Sequence, residues 1–112
     1  MIEIDEDHFD QAGTISGCGP AFMDIVVEAM SDGGVFVGLT RKESIELAAA
    51  MMMGSAKLIL ESGKNPIELK DEVTSPGGTT IEGVKALEER GVHNAFMEAV
   101  IKAYKKNELL RK

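Results

Sequence analysis

The 112 residues carry a formal charge of -7, from 19 acidic against 12 basic side chains, with one cysteine and no tryptophan. That length suits a single domain able to bury a core without disulfides or metals, and the acidic balance, crowded at Glu3, Asp5, Glu6, Asp7 and Asp10, excludes nucleic-acid and anionic-membrane surfaces as partners. One cysteine cannot close an internal disulfide, no secretory signal pattern is present and no apolar run is long enough to cross a bilayer, so a soluble cytoplasmic protein is expected.

The chain reads as helices and almost nothing else. A polar, loose N-terminal segment runs to the Gly17-Cys18-Gly19-Pro20 stretch, which leads into a first helix through Ala21, Phe22, Ile25, Val26, Ala29 and Met30 that ends near Gly38. Thr40, followed three residues later by Glu43, forms a capping box that opens a second helix running to about Ser62, with Gly63 as its stop. Asn65-Pro66 starts a short third helix through Ile67, Leu69 and Val73, with proline in the first turn, where its missing N–H does no harm. After the segment Thr74 to Thr80, a fourth helix (Ile81, Val84, Leu87) reaches Arg90 and stops at Gly91, and a fifth runs from about His93 through Phe96, Val100, Ile101, Tyr104 and Leu109. The fold class expected is all-α, a bundle of about five helices.

The second helix bears on assembly. From Leu47 to Ala56 no face carries a charge, and Leu47, Ala48, Ala49, Ala50, Met51, Met52, Met53 and Ala56 cover the full turn. A helix apolar all round has to be buried all round. Either its own neighbours wrap it or a second copy does; a domain this small favours the second copy, and hence a homo-oligomer with a shared helical core.

The segment Thr74 to Thr80 reads TSPGGTT, four hydroxyls with a proline and two adjacent glycines directly before an amphipathic helix. Two readings stand. One is an anion site: first-turn N–H groups lack intrahelical partners, the macrodipole adds partial positive charge, and glycine lets a carboxylate or phosphate approach the backbone. The other is a Pro-Gly turn followed by an ordinary threonine cap.

Motifs of an independent enzyme are missing. Gly17-Cys18-Gly19 starts like a dinucleotide fingerprint, but Pro20 follows it, Phe22 occupies the third glycine position and no strand precedes it. The run from Gly33 to Gly38 fails the same spacing, and Gly38 is followed by Leu39-Thr40 rather than the Lys-Ser/Thr of a P-loop. His8 and His93 are far apart, so no metal set is recognisable and both read as surface or capping residues. Cys18 is either a reactive thiol or a small residue chosen for fit, and no histidine partner can be assigned to it.

Three blocks in order nevertheless carry a resemblance. FDQAGTISGCGPAF (Phe9 to Phe22), then Ser31-Asp32-Gly33-Gly34-Val35 through Gly38-Leu39-Thr40-Arg41, then LKDEVTSPGGTTIEGV (Leu69 to Val84) resemble the C-terminal domain of the pyrroline-5-carboxylate reductase family, where the outer blocks usually read close to DAVTALSGSGPAY and LkdqVtSPGGTTi. The resemblance spans about Phe9 to Leu109. It implies a helical dimerisation and substrate-binding domain over residues 1–112 that interlocks with a second copy, like the C-terminal domain of 6-phosphogluconate dehydrogenase. It also implies that the Rossmann domain holding NADPH or NADH is absent from this chain, which alone would be inactive.

The reaction implied is hydride transfer to the C=N bond of 1-pyrroline-5-carboxylate, giving L-proline. By position, Ser75, Gly77, Gly78, Thr79 and Thr80 would hold the substrate carboxylate, and the Thr80 hydroxyl would meet the ring nitrogen as the catalytic group. Thr14, Ser16, Gly17, Cys18, Gly19 and Pro20 would lie near the nicotinamide, at the start of the first helix; no metal is implied. The chain departs from the family pattern at Gly13-Thr14, where threonine usually precedes a small residue, at Cys18, which replaces serine, and at Phe22, which replaces tyrosine. Lys70 and Glu72 beside the loop, and Lys102, Lys105, Lys106, Arg111 and Lys112 at the C-terminus, read as solvated charge, the latter complementing a helix dipole. A stand-alone helical oligomerisation module, or a related dehydrogenase of the same build, are the competing readings.

Overall fold

The computed structural model describes residues 2–111, so Lys112, counted above among the C-terminal basic residues, lies outside the described residues. A 3-10 turn at Glu6–His8 precedes five helices: α1 (Phe9–Phe36), α2 (Arg41–Ser62), α3 (Pro66–Glu72), α4 (Thr79–Glu89) and α5 (Val92–Leu110). No strand occurs among the described residues. The chain forms two compact units, one holding α1 as far as Asp24 with the residues from Glu88 onward, the other Ile25–Leu87.

The helix boundaries follow from local chemistry. Thr40 accepts from the Glu43 amide at 3.1 Å while the Glu43 carboxylate accepts from the Thr40 amide at 2.9 Å, a complete capping box at the entry to α2. Its exit is Gly63, at φ 73°, a left-handed position that a side chain resists. Asn65 caps α3 by accepting from the Glu68 amide at 2.9 Å, with Pro66 at the first helical position. α1 ends in a Schellman turn, in which Gly38 at φ 111° lets the Leu39 amide reach back to the Gly34 carbonyl at 3.0 Å and the Gly38 amide to Val35 at 3.1 Å.

α1 corrects the sequence expectation. The helix begins at Phe9 rather than after Pro20, and the Gly17-Cys18-Gly19-Pro20 run lies inside it. Glycine and proline are both poor interior residues, so propensity argued for a start after them; tertiary packing in the first unit overrides it. Thr14, only 6% exposed, donates its hydroxyl to the Asp10 carbonyl at 2.9 Å, and Arg111 at the end of α5 pairs with the Asp10 carboxylate. That pair engages a basic residue expected only to offset the helix dipole.

In the second unit, α1 and α2 approach closely where Gly34 meets Ser44. A Cβ at Gly34 would lie 2.4 Å from the Ser44 Oγ and 2.9 Å from the Ser44 Cβ, so turning the hydroxyl would not relieve the contact. Arg41 ties the same corner, donating to Ser31 at 2.7 Å and pairing with Asp32 at 2.7 Å.

What is missing is a core. Among the described residues the one buried hydrophobic is Ala48, while on the same helix Leu47 is 61%, Met53 72% and Leu60 79% exposed. The chain exposes 9142 Å², whereas a folded monomer of its 12.0 kDa is expected to expose about 6,000 Å². α2 is therefore not wrapped by its own chain.

Two outcomes test this description. The Thr40 backbone N–H, and then the Thr40 side chain, hold the Glu43 carboxyl below its ordinary value of 4.5. A folded value below the unfolded one stabilises above pH 4.5 and stops doing so as acid protonates the folded carboxylate, so Glu43→Gln should flatten the acid limb of a melting-temperature profile. A Cβ at Gly17 meets nothing within 4 Å. Gly17→Ala should therefore raise unfolding free energy by about 0.5–1 kcal/mol in a denaturant titration, and a fall instead would show that another molecule fills that space.

Candidate functional site

The TSPGGTT segment connects α3 to α4 through a tight turn built by its own residues. The Gly78 amide donates to the Ser75 carbonyl at 3.1 Å, with Pro76 and Gly77 between them. Gly77 sits at φ 70°, so proline followed by a positive-φ glycine makes the type II pattern, and the first glycine of the pair is set by backbone conformation. The second is set by space, since a Cβ at Gly78 would stand 2.5 Å from the Ser75 Oγ.

The four hydroxyls divide into two groups. Thr74 donates its hydroxyl to the Lys70 carbonyl at 2.6 Å and its amide to Asp71 at 3.1 Å, closing α3, and so has no proton left to give a ligand. Among the described residues the hydroxyls of Ser75, Thr79 and Thr80 have no hydrogen-bond partner, and all three residues are exposed. Thr79 and Thr80 open α4, whose first-turn N–H groups have no carbonyl a turn earlier to bond. Glu82 already places a carboxylate in this turn. Net field is thereby weakened, and an anion bound here would rely on directed N–H and O–H contacts. Lys70 and Glu72 behave as solvated charges, Lys70 at 3.9 Å from Asp71 and Glu72 paired with Lys64 at 2.8 Å.

The first motif occupies a different setting. Because it is helical, its residues fan round the axis of α1 instead of lining one loop. Thr14 and Cys18, one turn apart, face a cleft of about 280 Å³ lined also by Phe9, Asp10, Gly13, Ala103 and Asn107. Gly19 and Pro20 face a second cleft of about 500 Å³ with Ile15, Phe22, Met23, Phe96 and Val100, almost wholly apolar. Ser16 and Gly17 are exposed and line neither. Hence the structure joins Thr14 to Cys18 and Gly19 to Pro20, but not the two pairs. Cβ atoms added at Gly13, Gly17 or Gly19 would meet nothing within 4 Å, so the chain's own packing does not explain these glycines.

Sequence reasoning passed over Asp10 and Asn107 as cleft residues. The signal available was the 4-residue step from Asp10 to Thr14 to Cys18, visible only once the segment is known to be helical. On α5, Tyr104 donates to Glu108 at 3.2 Å. Its phenol is pushed up first by desolvation and then by that bond and the carboxylates of Glu108 and Asp10, so it stays a neutral donor. Cys18 is a free, half-buried thiol, both histidines are exposed, and no cluster able to hold a metal occurs among the described residues. Among the described residues no helix is long and apolar enough to cross a membrane.

Comparison with known proteins identifies the family. Residues 6–110 match the family model described as pyrroline-5-carboxylate reductase dimerisation. The chain is 49% identical over 111 residues to the pyrroline-5-carboxylate reductase of Methanosarcina acetivorans, covering 99% of this chain and 41% of that protein. It is 48% identical over 98 residues to that of Escherichia coli, covering 88% and 36%. Among solved structures, Plasmodium falciparum pyrroline carboxylate reductase with NADP bound superposes with a TM-score of 0.92 at 36% identity, over 99% of this chain and 45% of that one. The Coxiella burnetii pyrroline-5-carboxylate reductase gives 0.89 at 30% identity, over 96% and 40%. The chain thus spans about two fifths of the length of the relatives it matches. Over that span it belongs to the pyrroline-5-carboxylate reductase dimerisation family.

Proposed function

We propose that the chain is the dimerisation and substrate-binding part of an NADPH- or NADH-dependent pyrroline-5-carboxylate reductase, the dinucleotide being held mainly by residues outside it. One observation carries the reading: a preformed turn leaves the hydroxyls of Ser75, Thr79 and Thr80 unengaged at the entrance to α4, on a chain of this family. Free first-turn amides at Thr79 and Thr80 supply donors for a small carboxylate, and the Ser75 hydroxyl adds another. Thr80 then presents its hydroxyl to the ring nitrogen. The loop contributes through orientation: a substrate gripped at its carboxylate has its imine carbon fixed in place and approach.

The cofactor's contribution when bound is a hydride for that carbon. This chain offers no strand-to-helix phosphate loop for it, since Gly17-Cys18-Gly19 is mid-helix. It does offer unobstructed backbone at Gly13 in the Thr14–Cys18 cleft, which suits the ring end of such a molecule. Thr14 already spends its proton on Asp10, so toward a ligand it can act only as an acceptor.

A second copy completes the reading. Surface in excess of a compact monomer amounts to about 3,000 Å², well beyond the ~800 Å² a partner contributes to a standard interface. Apolar residues on all sides of α2 give that surface the composition of an obligate interface.

Light scattering should return twice the 12.0 kDa chain mass or a multiple of it. Leu47→Glu, which places a charge on an exposed apolar position of α2, should drive the protein to monomer or unfold it; an unchanged mass would count against α2 as the shared core. For the site, isothermal titration with L-proline and with tetrahydro-2-furoic acid should saturate, and Thr80→Ala should weaken proline by about tenfold, the loss of one hydrogen bond to a charged ligand. A well-folded dimer that binds neither compound would favour a structural turn, since both glycines have reasons within the loop itself.

A further inference from the structure

Gly78 has no backbone reason to be glycine, because the positive-φ positions are Gly38, Gly63, Gly77 and Gly91. Its reason is spatial and specific to one neighbour. A Cβ there would lie 2.5 Å from the Ser75 Oγ and 3.3 Å from the Ser75 carbonyl oxygen, with the Ser75 Cβ at 3.8 Å. The two residues cannot simply separate, since the Gly78 amide bonds the same Ser75 carbonyl at 3.1 Å and Gly77 fixes the turn between them. The 3.3 Å contact eases with a small backbone adjustment. The 2.5 Å contact does not, and the cheapest relief is rotation of the Ser75 hydroxyl about its single side-chain bond into another staggered position.

We infer that Gly78 is a positioning residue that acts through Ser75: the missing Cβ holds open the space in which the Ser75 hydroxyl stands beside the entrance to α4. The pair is size-coupled, and a side chain at 78 removes the hydroxyl from the site without touching the substrate. The consequence for ligand binding rests on the carboxylate-site reading above; the coupling itself does not.

The test is a cycle of Ser75→Ala, Gly78→Ala and the double variant in the full chain, each titrated with L-proline and melted, with a crystal structure of Gly78→Ala. Ser75→Ala should weaken proline by about tenfold, Gly78→Ala by the same factor, and the double variant by no more than either. A glycine needed for direct approach of the substrate would instead give losses that multiply to about a hundredfold, and unchanged affinity in Gly78→Ala would likewise overturn the inference. In the crystal, a turned Ser75 side chain on an unmoved backbone supports the coupling; an unmoved Ser75 with a displaced backbone at 78–79 sinks it. Should Gly78→Ala fail to fold, folding of the double variant supports the hydroxyl as the obstacle, and failure of both overturns it. A parent chain that binds no proline removes the carboxylate-site reading, and the crystal structure then decides the coupling alone.

Discussion

The apolar circumference of α2 constrains the rest of the chain. A helix with no polar face loses free energy in proportion to every Å² left in water, at about 25 cal/mol per Å². Here the surrounding helices leave most of that face open, so the fold as a single chain is an unfinished object. The ends of α1 and α2, by contrast, are finished: a Schellman turn closes α1, a capping box opens α2 and the left-handed Gly63 stops it, all without outside help. Local chemistry thus specifies the elements, and burial, the term that stabilises their packing, is deferred to assembly.

That division bears on the loop. Segments that hold a ligand benefit from rigidity obtained independently of the ligand, because ordering costs are then met before binding. The Ser75–Gly78 turn has this property. Its proline, its positive-φ glycine, its backbone hydrogen bond and its space-limited second glycine are all satisfied inside the segment, and Thr74 anchors it to α3. The unengaged hydroxyls therefore sit on a frame that does not have to fold around a substrate.

Legibility in the sequence divides along the same line. The second to fifth helices, their caps and the turn were readable because each depends on residues within three or four positions of one another: Thr40 with Glu43, Asn65 with Glu68, Pro76 with Gly77. The glycine set of the loop was readable as a set, but the separate reasons were not. Gly77 answers to φ, which proline-glycine predicts, whereas Gly78 answers to a neighbouring side chain's position, which only coordinates give. The start of α1 was misjudged for a related cause. Gly17, Gly19 and Pro20 are penalised locally, while α5, whose Phe96 and Val100 line a cleft with Gly19 and Pro20, is separated from them by most of the chain. With the helix misplaced, the first motif looked like one surface, and its division between two clefts was invisible.

The helical setting of that motif also changes what its glycines mean. In a loop, glycine is ordinary and says little about ligands. Inside a helix each one gives up about 0.5–1 kcal/mol relative to alanine, and at Gly13, Gly17 and Gly19 neither a positive φ nor a neighbouring atom of the chain recovers it. Gly34 shows what recovery looks like, its missing Cβ admitting Ser44. Three such glycines lie within two turns of one helix, Gly13 in the polar cleft and Gly19 in the apolar one, and nothing within the single chain offsets what they cost. In the proposed reductase two bodies lie outside the chain, a second copy and a flat cofactor ring. The two clefts differ in the chemistry that each would require: the apolar cleft beside Gly19 suits the protein partner, and the Thr14–Cys18 cleft with Asp10 and Asn107 suits the polar ring.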